Sequence, residues 1–167
     1  MPFEASNFDQ LKLILKRVGN ATDRAVMKAL VEKGVELRDL ARAGAPVDYG
    51  NLEQAIKLQH IGDLRGSSGR FLAGGGSVMV YIDNSMPAPS TPGEKGERTV
   101  GDYAWYIHEN QTPYGPIPLG PKSQEKQDAN PEVVVGGGFM DRAADIIGAT
   151  ISQELANIVK KQIMAVD

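Results

Sequence analysis

The sequence predicts an α+β fold: an antiparallel sheet of about four strands packed against long N- and C-terminal helices, with long Gly/Pro-rich loops. Three observations predict it. Apolar residues recur at helical spacing at both ends of the chain, short runs of β-forming residues occupy the middle, and Gly and Pro cluster between those runs. With 167 residues, one domain spanning 1–167 with one core is expected. Its parts are a helix over 7–44, a β region over 52–136 and a helix over 138–165.

The first helix is capped by Ser6 or Asn7, and Phe8, Leu11, Leu15 and Val18 form its apolar stripe. Gly19-Asn20 interrupts the pattern and allows a kink. Asn20 can cap a second helical stretch, with Asp23 in its first turn. Ala25, Val26, Ala29, Leu30, Leu37, Leu40 and Ala41 continue the stripe until Gly44 and Pro46 end it.

Ile56 to Ile61 reads as the first strand, with Ile56, Leu58 and His60 on one face. The glycines between Gly62 and Ser77 read as a flexible hairpin connection. Val78 to Ile82 is the second strand, Tyr103 to His108 the third and Glu132 to Val135 a short fourth. Two further loops, Asn84 to Asp102 and Asn110 to Pro131, are rich in proline. Loops this long are uncommon in compact domains, and a subunit that reaches its neighbours gains contact area from them. Gly136-Gly137-Gly138 reads as a flexible lead into the last helix. There Phe139, Ala143, Ile146 or Ile147, Thr150 or Ile151, Leu155, Ile158 and Ile163 step at helical spacing.

Apolar residues make up 41% of the chain and charged residues 23%, which is ordinary globular composition. No apolar run approaches the roughly 20 residues of a membrane span, and Met1 to Gln10 lacks the pattern of a signal peptide. A cytoplasmic protein without a membrane partner is therefore expected. The absence of cysteine excludes disulfides, thiolate metal sites and a cysteine nucleophile. The net charge of −3 gives no reason to expect tight nucleic-acid binding. It is unevenly spread. Asn7 to Gly44 holds eight basic and five acidic residues, a net of +3; Ala45 to Gly137 holds seven and eleven, a net of −4. Such a division suits head-to-tail contacts between identical copies, or simply two solvated surfaces.

Tests for chemistry fail one by one. His108-Glu109 has the start of a zinc-protease motif, but Thr112 stands where a second His is needed. His60 reads as a strand side chain. Gly74-Gly75-Gly76 and Gly136-Gly137-Gly138 lack the Lys-Ser or Lys-Thr and the spacing of phosphate loops, and Gly66-Ser67-Ser68-Gly69 has no base at a recognisable offset. Trp105 and its tyrosine neighbours could stack bases, but within an acidic segment they read as core or subunit packing. No catalytic residue, cofactor or metal is expected.

Two stretches carry a resemblance. Ala45-Pro46-Val47-Asp48-Tyr49-Gly50-Asn51-Leu52-Glu53-Gln54-Ala55-Ile56 resembles the A-P-V-x-T-G-x-L-x-x-S-I motif of neck and tail-completion proteins of long-tailed bacteriophages. Tyr49 replaces the usual Thr and Ala55 the usual Ser. In physical terms Pro46 ends the helix, Gly50 permits a turn, and Leu52 and Ile56 re-enter the core. Tyr103-Ala104-Trp105-Tyr106-Ile107-His108-Glu109-Asn110 looks like that family's Y-A-x-Y-x-H/E-x strand, so Tyr103, Ala104, Tyr106 and Glu109 join the motif positions. Gly138-Phe139-Met140-Asp141-Arg142-Ala143 stands where family members begin their last helix.

The resemblance implies a non-enzymatic structural virion protein. It would form a homo-oligomeric ring of six or twelve copies at the head–tail junction, against portal-side, neck and tail proteins. Double-stranded DNA would pass through non-specifically, and the protein would reside in the host cytoplasm during assembly. An acidic lumen would repel phosphates and let DNA slide. Tail terminator, stopper and minor capsid subunits are alternatives built on similar folds. A small hydrolase or ligand-binding domain is the alternative from another class, and it requires a concave pocket with convergent polar groups.

Overall fold

The computed structural model describes residues 5–47, 51–61, 76–87, 99–109 and 118–165. In order they form helix α1 (Ala5–Gly44), a single-turn helix α2 (Asn51–Ala55), strands β1 (Ile56–Ile61) and β2 (Ser77–Ile82), and helices α3 (Val100–Glu109), α4 (Pro121–Ala129) and α5 (Phe139–Met164). The fold is mixed helix and sheet, with long helices at both ends and one antiparallel pair of strands, β1 beside β2.

Long helices stand at both ends where the apolar periodicity predicts them; of the expected α5 stripe Phe139, Ala143 and Ile147 are buried, whereas Ile163 is exposed. α1 runs through Gly19-Asn20 as continuous helix. Gly44 does not adopt the left-handed conformation of a helix-ending glycine; among the described glycines only Gly136 and Gly138 have positive φ. Its small size matters instead, because a Cβ there would stand 3.3 Å from both Phe139 Cβ and the Val134 carbonyl.

A four-stranded sheet is not found among the described residues, and two expected strands are corrected. Tyr103 to His108 lies within α3. Thr99 and Asp102 form a reciprocal cap: the Asp102 carboxylate accepts from the Thr99 amide at 3.0 Å, and the Thr99 hydroxyl accepts from the Asp102 amide at 3.3 Å. That pairing satisfies two amides and nucleates a helix. Val100, Ala104 and Ile107 then fall on one buried stripe, a period of 3.6 rather than 2.

Glu132 to Val135 is likewise no strand. Its backbone pairs with a side chain: the Gln127 carboxamide donates to the Val133 carbonyl at 2.7 Å and accepts from the Val135 amide at 2.8 Å. One carboxamide has the donor and acceptor of a peptide group, so it substitutes for a neighbouring strand.

α4 occupies part of the expected Asn110–Pro131 loop. Gly120 precedes it in extended conformation, Pro121 starts it and Asn130-Pro131 ends it. The triglycine lead into α5 is a defined turn rather than a flexible one. Gly136 (φ 134°) and Gly138 (φ 69°) adopt conformations that favour glycine. Arg142 donates across the turn to the carbonyls of Val134 at 2.9 Å and Gly136 at 3.2 Å, and to that of Gly137.

Contacts divide the chain into two compact units. The first is Met1–Lys33, His60–Val78 and Thr150–Asp167; within it Ala29 is buried and Lys33 pairs with Glu154 at 3.1 Å. The second is Gly34–Gln59 and Met79–Ala149, and it holds the main core. Ala41, Ala45, Leu52, Ala55, Ile56, Val100, Ala104, Ile107, Phe139 and Ala143 are buried together, with Val80, Ile82 and Tyr103 packed against them. A two-stranded hairpin is marginal by itself; this one rests its Val80 and Ile82 side chains on the helices.

Candidate functional site

Four of the residues that carry the resemblance, Leu52, Ile56, Tyr103 and Ala104, meet in the core of the second unit. Pro46 is buried, Leu52 and Ile56 are core residues, and Ala104 and Tyr103 from α3 join the same cluster. α2 packs directly on α3. Both motif stretches therefore build one junction, where α1 hands over to β1. Gly50 lies outside the described residues, as do the side chains of Tyr106 and Glu109.

This junction is held by polar groups on backbone. A helix leaves its last carbonyls without intrahelical partners, and here the α1 terminus is buried, so they need partners from elsewhere. Lys126 of α4 donates to the carbonyls of Arg42 at 2.7 Å and Ala45 at 2.8 Å, and its ammonium also pairs with Glu53 of α2. The Gly136 amide reaches the Gly44 carbonyl at 3.0 Å. A cation at a helix C-terminus is favoured by the macrodipole as well.

Ser123, the buried residue of α4, accepts from the Val47 amide at 2.8 Å and donates to the Val47 carbonyl at 3.1 Å. Arg42 reaches the other way, donating to the Ile56 carbonyl at 3.1 and 2.7 Å. The outer side of the junction is a shallow depression of about 450 Å³ lined by Arg42, Ala43, Glu53, Gln54 and Lys57. Arg42 and Glu53 there are already engaged by the Ile56 carbonyl and Lys126.

A second feature lies along α3. An open cleft of about 500 Å³ is lined by Ile82, Asn84, Asp102, Trp105 and His108 among others. Asp102, Trp105 and His108 are spaced three residues apart, so they form one ridge. The helix start approaches Asn84 closely: the Thr99 hydroxyl donates to the Asn84 carboxamide oxygen at 2.7 Å, and a Cβ at Gly101 would overlap that carboxamide.

His108 lies in the last turn of α3 rather than in a strand. Its ring meets Phe139 edge-on at 5.4 Å and 76°, its carbonyl accepts from the Gly138 amide at 2.7 Å, and Nε2 lies 3.7 Å from Asp141. His60 is an exposed residue of β1. Near the hairpin end, Asp83 accepts from the Ser85 hydroxyl at 2.6 Å and the Ser85 amide at 3.0 Å. These bonds hold its carboxyl below the usual carboxylate range.

Among the described residues no group of three His, Asp or Glu side chains is placed to hold a metal ion, and no helix is long and apolar enough to cross a membrane. Sequence reasoning missed Lys126, Ser123 and Gln127, which sit on a helix without an apolar stripe. It also missed the cap at Thr99-Val100-Gly101-Asp102, although a Thr followed three residues later by Asp is a legible helix start.

The chain matches no family model, no curated protein and no solved structure.

Proposed function

We propose that this chain is a structural virion protein of the bacteriophage neck or tail-completion type, without catalytic activity. It assembles as a ring of six or twelve copies at the head–tail junction, through which double-stranded DNA passes. The observation that supports this reading is the meeting of the two family-like stretches. Residues 45–56 and 103–110 are far apart in sequence, yet Leu52, Ile56, Tyr103 and Ala104 pack into one core at the end of the long helix. A shared structural junction is what motifs of this kind encode. The junction's charged groups bind backbone carbonyls and each other, which is a scaffold's use of charge. The net charge of −4 over residues 45–137 supports a lumen that repels phosphates.

Gold-labelled antibody on intact particles, together with negative-stain images of the purified chain, tests the reading. Label at the head–tail junction and closed rings are expected. Junction label with closed rings is also what a terminator or stopper would give; label on the capsid would move the assignment to a minor capsid subunit, and label at the distal tail end would overturn the junction position. A basic lumen with the acidic loops turned outward would overturn the sliding mechanism. A persistent monomer that binds a small molecule and is absent from particles would overturn the structural role itself.

A further inference from the structure

Trp105 is the only tryptophan of the chain, and it stands 69% exposed at the cleft beside α3. Indoles carry a large apolar surface and are enriched where proteins meet, so an exposed one at the mouth of a cleft suits a contact. Its surroundings are acidic. Asp102 lines the same cleft, and Asp141, with 78% of its side chain exposed, approaches His108 at the other end of the ridge. Asp145 lies one turn further along α5 and is also exposed. An indole with one cleft-lining carboxylate, Asp102, which also caps α3 through Thr99, and with Asp141 near His108 suits an Arg or Lys side chain, whose stem lies on the ring while the cationic head meets ring and carboxylate.

The chain supplies such a group itself. The whole excess of positive charge in α1 lies in its first part: residues 7–28 hold five basic and two acidic residues, a net of +3, and residues 29–44 hold three of each. Arg24 and Lys28 stand one turn apart there and are exposed, Lys28 with 79% of its side chain. We propose that the Trp105 cleft is a socket for the basic first half of α1 of a second copy, with Arg24 and Lys28 against Trp105, Asp102 and Asp141. The two surfaces differ, so the contact is heterologous and propagates head to tail until a ring closes. This deepens the ring reading and rests on it; Asp102 then belongs to the subunit contact rather than to the lumen.

A lone tryptophan makes the test direct. Emission and acrylamide quenching of the full chain are followed together with light scattering as concentration rises. Assembly should shift the emission to the blue and protect Trp105 from quenching. Both effects should reverse when salt is raised from about 0.05 to about 0.5 M, because exposed charges are screened. Trp105→Ser should raise the concentration for half-assembly at least about tenfold, and the double variant Arg24→Glu/Lys28→Glu should do the same. Unchanged far-UV circular dichroism would show that both variants fold, as expected for exposed positions. Assembly with Trp105 still open to quencher, or a double variant that assembles like the parent, overturns the socket and leaves the ring reading standing. A chain that stays monomeric at every concentration and forms no rings on grids overturns both.

Discussion

Replacing Lys126 by Met keeps the side-chain stem and removes the ammonium that joins α4 to the end of α1. The loss can be worked from its partners. The Ala45 carbonyl loses the Lys126 donor, the Arg42 carbonyl is left with only the long 3.3 Å bond from the Ala45 amide, and Glu53 loses its counter-charge. An unsatisfied buried acceptor costs about 1–3 kcal/mol. The Lys126 and Glu53 side chains are 23% and 33% exposed, so water can reach the vacated site and the lower end applies, about 1 kcal/mol per carbonyl. The ion pair itself contributes about 0.5 kcal/mol at such exposure.

A total destabilisation of about 2–3 kcal/mol is expected for Lys126→Met, and about 0.5–1 kcal/mol for Glu53→Gln, which leaves both carbonyls capped. Urea unfolding monitored by circular dichroism reads the difference as a lower midpoint at unchanged slope. Hydrogen exchange should show faster amides over residues 121–129 in the Lys126 variant. A loss below about 0.5 kcal/mol, or equal losses for the two variants, would show that the carbonyl contacts do not carry the stability assigned to them.

Local geometry sets the other expected outcomes. Thr99→Ala should cost about 1 kcal/mol by opening the reciprocal cap of α3, and combined with Asp102→Ala it should cost less than the two single losses added, as an unfolding cycle would measure. Gly148 lies inside α5 with open space where a Cβ would be, so Gly148→Ala should raise stability by about 0.5–1 kcal/mol in the same assay. The Asp83 carboxyl should titrate below the usual carboxylate range by NMR, and Ser85→Ala should move its midpoint up, because the hydroxyl bond to the charged form is lost first. With its folded value depressed, Asp83 stabilises the fold above the unfolded-state pKa, and that contribution disappears as pH falls through the folded value.

What the sequence determined is the part written in apolar periodicity and in backbone stops. α1 and α5 carry stripes repeated over many turns, and local competition cannot erase a pattern that long. Pro46 ends the first helix by chemistry alone, since it has no amide to donate. β1 and β2 were legible because short β-forming runs flank a glycine-rich connection. The buried positions of Leu52 and Ile56 came from the same reasoning.

Tertiary structure decided the rest, for reasons visible at single residues. Tyr103 to His108 is rich in β-formers, yet a two-residue cap at Thr99 and Asp102 and the stripe of Val100, Ala104 and Ile107 make it helix. Val133 to Val135 has the composition of a strand, and the strand position beside it is taken by the carboxamide of Gln127. α4 buries Ser123, and its links to the end of α1 run through Ser123 and Lys126. Such links leave no periodic trace, because their partners at Arg42, Ala45 and Val47 lie a long way off in the chain. Periodicity records which face of an element is apolar; it does not record which distant carbonyl a lysine will cap.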